Sequence, residues 1–151
     1  MNNESILVQG DEIINYIPQR PPFVMIDRLY ECNEKSVRTG FQPTDQNIFS
    51  ENGFFTEPGL IENMAQSAAA GTGYFFISQG KKVPVGFIGA IKDFKLIRLP
   101  KVNDLLETEI NVVAEVMNAS VIKALVRSGG EEIALCEMKI FLLDTNRPVT
   151  S

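Results

Sequence analysis

The chain contains no histidine. It therefore lacks the side chain most often used as a general base near neutral pH, and proton transfer at any site falls to carboxylates or to a group from elsewhere. Only two cysteines are present, Cys32 and Cys136, both within apolar strand-like runs. Two thiols alone cannot complete a metal site, and reduced core thiols in a cytoplasmic protein fit them better than a disulfide. No basic region precedes an apolar stretch at the N-terminus, so a secretory signal is not expected. An uninterrupted apolar run is missing too. The most apolar segment, residues 60–78, carries Glu62, Asn63 and Gln66 near its start, which suits a buried core helix and not a membrane span. A net charge of −5 argues against nucleic acid as a general partner.

At 151 residues, 44% hydrophobic and 22% charged, the chain suits one well-packed domain spanning residues 1–151, with its core at about 11–144. It shows no internal repeat and no low-complexity tract. Its charge is unevenly spread. Residues 81–101 hold Lys81, Lys82, Lys92, Lys95, Arg98 and Lys101 against a single acid, Asp93. A basic stretch on an acidic chain suits docking of a small acidic partner through Lys92, Lys95, Arg98 and Lys101; a solvated strand edge blunted by lysine accounts for it equally.

The hydropathy pattern predicts the order α-β-β-α-β-β-β-β. Residues 1–9 read as a loose start. Asp11 caps a short helix with Ile13, Ile14 and Ile17 apolar, and Pro18 ends it. Residues 23–32 alternate as a strand, Asn33-Glu34-Lys35 turns, and residues 36–42 return as a second strand before a polar loop at 44–55. The long helix is expected at about 58–78, with Thr56 as N-cap and Pro58 and Gly59 in the first turn. Ala65, Ala68, Ala69, Ala70, Gly71 and Gly73 make its middle slim enough for close approach by a sheet. Strands follow over 84–96, 105–117, 120–128 and 131–144, joined by turns at Asn118-Ala119 and Gly129-Gly130. Leu106, Ile110, Val112, Ala114 and Val116 form one face of the second of these. One long helix followed by consecutive antiparallel hairpins indicates an α+β fold.

Glu62 and Gln66 are four residues apart and share a helix face within an otherwise apolar or small segment. Buried polar groups need partners. Either the pair bonds loop backbone, or it lines a tunnel with Glu62 as acid or base. In the second case the free first-turn N–H groups of Gly59 and Leu60 would stabilise an oxygen that gains negative charge in the reaction.

Residues 56–70, with Pro58-Gly59 opening a helix that carries Glu62 and Gln66, resemble the central-helix motif of the (3R)-hydroxyacyl-acyl-carrier-protein dehydratases. The run Ile17-Pro18-Gln19-Arg20-Pro21-Pro22-Phe23 through Asp27-Arg28 is similar to that family's opening segment. Asp93-Phe94-Lys95 through Pro100, then Asn103-Asp104-Leu105, looks like a third. The matches fall in the family's order and cover about residues 11–144. The resemblance implies the hotdog fold, in which a long helix is wrapped by a curved antiparallel sheet. It also implies dimers with tunnels at the interface, a substrate carried on acyl-carrier protein or coenzyme A, and neither metal nor cofactor. It places the loop with Phe49, Phe54 and Phe55 at that interface, Phe54 and Phe55 lining the substrate site beside Gly59, Leu60 and Gln66. The departures are specific. The family's opening-run histidine is Gln19 here, and its catalytic Gly-His-Phe-Pro segment has no counterpart. Asn52 stands nearest the missing base, and an amide cannot accept an α-proton.

Three functions are compatible with these residues, all in acyl-chain metabolism of the fatty-acid or polyketide kind. The first is a dehydratase-class protein retaining Glu62, acting as a homodimer or as the histidine-less half of a heterodimer with a histidine-bearing homologue. The second is a hotdog thioesterase using Glu62. The third is a non-catalytic module that binds an acyl chain or its carrier.

Overall fold

The structure, a computed structural model, describes residues 5–143. Helix α1 (Glu57–Ser78) packs on one large antiparallel sheet. The sheet is built from β1 (Val8–Gln9), β2 (Arg28–Cys32), β3 (Ser36–Phe41), β6 (Val85–Leu96), β7 (Leu106–Val116), β8 (Ala119–Ser128) and β9 (Glu131–Leu143). Its order is β1-β2-β3-β7-β8-β9-β6, so β6 is an edge strand. Two short strands, β4 (Ser50–Glu51) and β5 (Phe54–Phe55), pair as a separate hairpin within the loop before the helix. Leu60, Met64 and Ala70 of α1 share one core with Ile110, Ile122, Val126, Ala134, Cys136 and Met138 of the sheet. Among the described residues no helix is long and apolar enough to cross a membrane.

Helix α1 starts as its sequence dictates, with Thr56 extended at the N-cap and proline in the first turn. The Thr56 hydroxyl makes no cap bond, however. Its Oγ1 donates to the Phe49 carbonyl at 2.6 Å and ties the preceding loop to the helix start. The slim middle is required by close approach: a Cβ on Gly71 would overlap Val37, and one on Gly73 would overlap the Tyr16 carbonyl.

Several local expectations are corrected. The short first helix is a 3-10 helix, Gly10–Asn15, with Gln9 at its N-cap and Asp11 inside its first turn. Residues 23–27 do not join the strand, because the backbone of Phe23 and Met25 bonds helix side chains and not a neighbouring strand. The face expected along β7 holds only to Val112. A bulge between Val112 and Ala114 inverts the alternation, leaving Ala114 and Val116 exposed, Val116 at 68%. The β7–β8 turn is Met117-Asn118, with Met117 left-handed at φ 57°, and Ala119 already opens β8. Asp144, the expected end of the last strand, lies outside the described residues, as do residues 1–4 of the loose start.

Burial raises both thiols, that of Cys136 to about 11, so both are neutral near pH 7. Gly73 gives the sharpest test of packing. Gly73→Ala should lower stability by about 1–3 kcal/mol through overlap with the Tyr16 backbone. Alanine is the better helix former by about 1 kcal/mol, so an unchanged or higher urea midpoint would refute the close-approach argument.

Candidate active site

A cavity of about 600 Å³ lies between α1, residues 14–20, the start of β6 and the end of β9. Ala65, Ala68 and Ala69 leave room for it on the helix side, while Phe87 and Ile140 are among its apolar lining. Glu62 and Arg20 are its charged lining residues, with Arg20 Nη1 donating to the Ile17 and Gln19 carbonyls at 2.8 and 2.7 Å. Gln19 lines it as well, with Oε1 buried and without a hydrogen-bond partner among the described residues. Gln19 and Arg20 were not among the expected site residues. The signal for Gln19 lay in the opening run, where it replaces a histidine.

Glu62 is held by Gln66, fully buried behind it. The Gln66 Nε2 donates to Glu62 Oε2 at 2.9 Å and to the Phe23 carbonyl at 2.7 Å, while Oε1 accepts the Met25 N–H at 2.6 Å. Both Nε2 protons are thereby used, so the donors of Gln66 reach a ligand only through Glu62. The next pair on the helix extends this polar row into the sheet. Asn63 Nδ2 donates to the Met25 carbonyl at 2.8 Å, and Asn63 Oδ1 accepts Thr108 Oγ1. Ser67 Oγ donates to the Asn63 carbonyl at 2.7 Å and meets Thr39 Oγ1 at 2.6 Å.

The other expected site residues lie elsewhere in the same chain. Gly59 and Leu60 are buried at the helix start, where the Phe55 ring and the Cβ of Phe49 approach Gly59. The Leu60 N–H, expected to be free, donates to the Thr56 carbonyl at 3.1 Å, because Leu60 lies one position beyond the unpaired turn. Phe55 is fully buried beside Phe41, with ring centroids 5.5 Å apart, and Phe54 is half-exposed. Asn52 sits at the exposed tip of the β4–β5 hairpin with φ 52°, followed by Gly53 at φ 85°. A two-residue turn needs that left-handed pair, and Asn-Gly supplies it. The hairpin docks on the segment after β6 through Phe55 N–H to Pro100 O at 2.9 Å and Val102 N–H to Gly53 O at 3.0 Å. None of residues 44–57 lines the cavity that contains Glu62.

Lys92, Lys95, Arg98 and Lys101 are all exposed. A bulge between Lys92 and Lys95 sets them opposite Glu137 and Leu135, alternate residues of β9, so both point from the same sheet face. Arg98 is engaged by Glu131 and the Ser128 carbonyl, each at 3.4 Å.

A family model described as ApeP-like, ApeP dehydratase, matches residues 11–148. The chain belongs to this family. The 3-hydroxyacyl-acyl-carrier-protein dehydratase FabZ of Clostridium novyi (strain NT) is 29% identical over 133 residues, covering 84% of this chain and 92% of that protein. FabZ of Clostridium kluyveri is 28% identical over 142 residues, covering 89% and 96%. Among solved structures, the dehydratase heterocomplex ApeI:P from Xenorhabdus doucetiae shares the fold with a TM-score of 0.75 at 13% identity, covering 88% of this chain and 91% of that one. The uncharacterized protein PH1136 from Pyrococcus horikoshii gives 0.68 at 11% identity, covering 87% and 93%. This ApeP-like chain is a hotdog-fold member of the 3-hydroxyacyl-carrier-protein dehydratase family that contains no histidine.

Removing the amide that holds Glu62 tests the site's construction. Gln66→Leu leaves the Met25 N–H and Phe23 carbonyl unpaired, each costing about 1–3 kcal/mol when buried. The variant should therefore lose at least about 2 kcal/mol in urea unfolding; a loss under about 0.5 kcal/mol would show that the clamp is dispensable.

Proposed function

We propose that this ApeP-like chain is the histidine-less subunit of a two-chain dehydratase, contributing Glu62 to a site whose general base comes from a histidine-bearing homologue. One observation carries the reading: the Glu62 cavity receives nothing from the loop that bears the family's base, and neither that loop's carboxylates, Asp45, Glu51 and Glu57, nor Asn52 reaches Glu62 within the chain. A base for Glu62 must then arrive from a second chain. The ApeI:P dehydratase, similar to this chain in fold, is a heterocomplex, which supports the same reading.

In this mechanism the partner's base removes the C2 proton of a 3-hydroxyacyl thioester. The C2–H electrons form the C2–C3 double bond as the C3–O bond breaks, and protonated Glu62 delivers its proton to the departing hydroxyl, releasing water. Proton return from the partner's base to Glu62 resets the site. Phe54, on its exposed hairpin away from the Glu62 cavity, covers the partner's tunnel. Strand β6 supplies the pairing edge. It is twelve residues long, its outer edge is unpaired among the described residues, and Val85, Phe87, Ile88 and Ile91 are exposed along it. The same edge makes a homodimer when no partner is present.

The purified chain alone should dehydrate a 3-hydroxyacyl carrier substrate at least about 10²-fold more slowly than its complex with the histidine-bearing homologue. Within that complex Glu62→Gln should lower kcat by about 10²–10⁴. Turnover by the chain alone at about 1–10³ s⁻¹ would overturn the two-chain reading. Hydrolysis without dehydration would make it a thioesterase instead, and carrier binding with neither reaction would make it a binding module.

Lys92, Lys95, Arg98 and Lys101 form the docking strip for an acidic acyl-carrier protein. Charge reversal at Lys95 and Arg98 should weaken carrier binding at least tenfold, and raised salt should weaken it in the unaltered protein. Salt-insensitive affinity that survives the reversal would remove the carrier from this surface.

A further inference from the structure

We propose that the substrate's acyl chain continues past Ala68 and Thr72 into a second cavity, and that this continuation selects long chains. The inference rests on the reading of the Glu62 cavity as a thioester site. The second cavity, about 320 Å³, lies between the β2–β3 turn, the C-terminal half of α1 and strands β7 and β8. Phe75, Phe76, Val112 and Ile122 are among its walls. Ala68, Thr72, Ile140 and Leu142 line both cavities. A wall whose residues face both spaces is one side chain thick.

The construction of that wall favours passage. Ala68 and Thr72 are one helical turn apart and face Ile140 and Leu142, alternate residues on the helix side of β9. On the helix side the partition is a methyl group and a threonine. On the sheet side both residues are only half-buried although they lie beneath the helix, because open space adjoins them. A cavity of about 150 Å³ already holds benzene, so the second cavity has room for a substantial further stretch of chain. Its rim carries the exposed Lys35–Glu115 ion pair at 3.5 Å, so polar groups border the apolar space there. Each methylene buried beyond the partition multiplies affinity by about fourfold.

The test is calorimetric titration of the full-length chain with 3-hydroxybutyryl-pantetheine and 3-hydroxydodecanoyl-pantetheine, which needs no turnover and no partner. The unaltered protein should prefer the longer chain by more than tenfold. Thr72→Leu, which fills the passage, should cut that preference at least tenfold, and so should Ser120→Phe, which fills the second cavity from a wall that does not touch the first. Thermal melts identify a variant that has lost its fold, and the other then decides. Equal affinity for both chains, or a preference surviving in every folded variant, overturns this inference and leaves the thioester site standing. Binding of neither chain, by the protein alone or by its complex with the histidine-bearing homologue, overturns the thioester site itself.

Discussion

The carboxamide of Gln66 is the interaction on which the rest of this molecule depends. It is buried at the centre of the fold and satisfies two backbone groups of residues 23–25 as well as the Glu62 carboxylate. Those backbone groups have no strand partner, since their segment leaves the sheet to pass over the helix. Gln66 thereby replaces a strand ladder with side-chain bonds, and the same bonds fix the rotamer of Glu62. Packing and chemistry share one set of atoms. Stability and site geometry are accordingly coupled in this chain, and loosening residues 23–25 loosens the carboxylate with them.

Asn63 and Ser67 extend that arrangement across the helix to Thr108 and Thr39. A row of amides and hydroxyls inside an apolar core is costly unless every member is bonded, and these are. The row also fixes the rotation of α1 about its axis, because a turn of the helix would break all of these bonds together. An apolar face of alanines and glycines alone would specify that rotation poorly.

Much of this was legible in the residues. The long helix, its start at Thr56-Glu57-Pro58, the six longer strands and the Gly129-Gly130 hairpin follow from local signals, while the two-residue strands β1, β4 and β5 fall in segments read as a loose start and a loop. The i,i+4 spacing of Glu62 and Gln66 showed that the two meet. Bonding to loop backbone was one of the two readings open for the pair, and Gln66 fulfils it; which backbone stayed hidden, since Gln66 and Met25 lie 41 residues apart in the chain and no periodicity encodes such a contact. The bulges in β6 and β7 were hidden for a related reason: each adds one residue that local alternation cannot distinguish from regular strand. Asn52 carries two signals at once: Asn-Gly announces a turn, which the left-handed backbone of both residues fulfils, and the same asparagine stands nearest the missing base.

The slimness of α1 has a consequence for how the chain reaches its native state. A helix with Gly71 and Gly73 in its second half has little intrinsic tendency to persist in water, and its burial partners come from β3, β7 and β8, on both sides of it in sequence. It becomes ordered only as the sheet closes on it, so loop-closure entropy precedes most of the reward. Folding should be slow for a domain of this size, and the transition state should require the meander β7–β8–β9 to be largely in place before the helix docks.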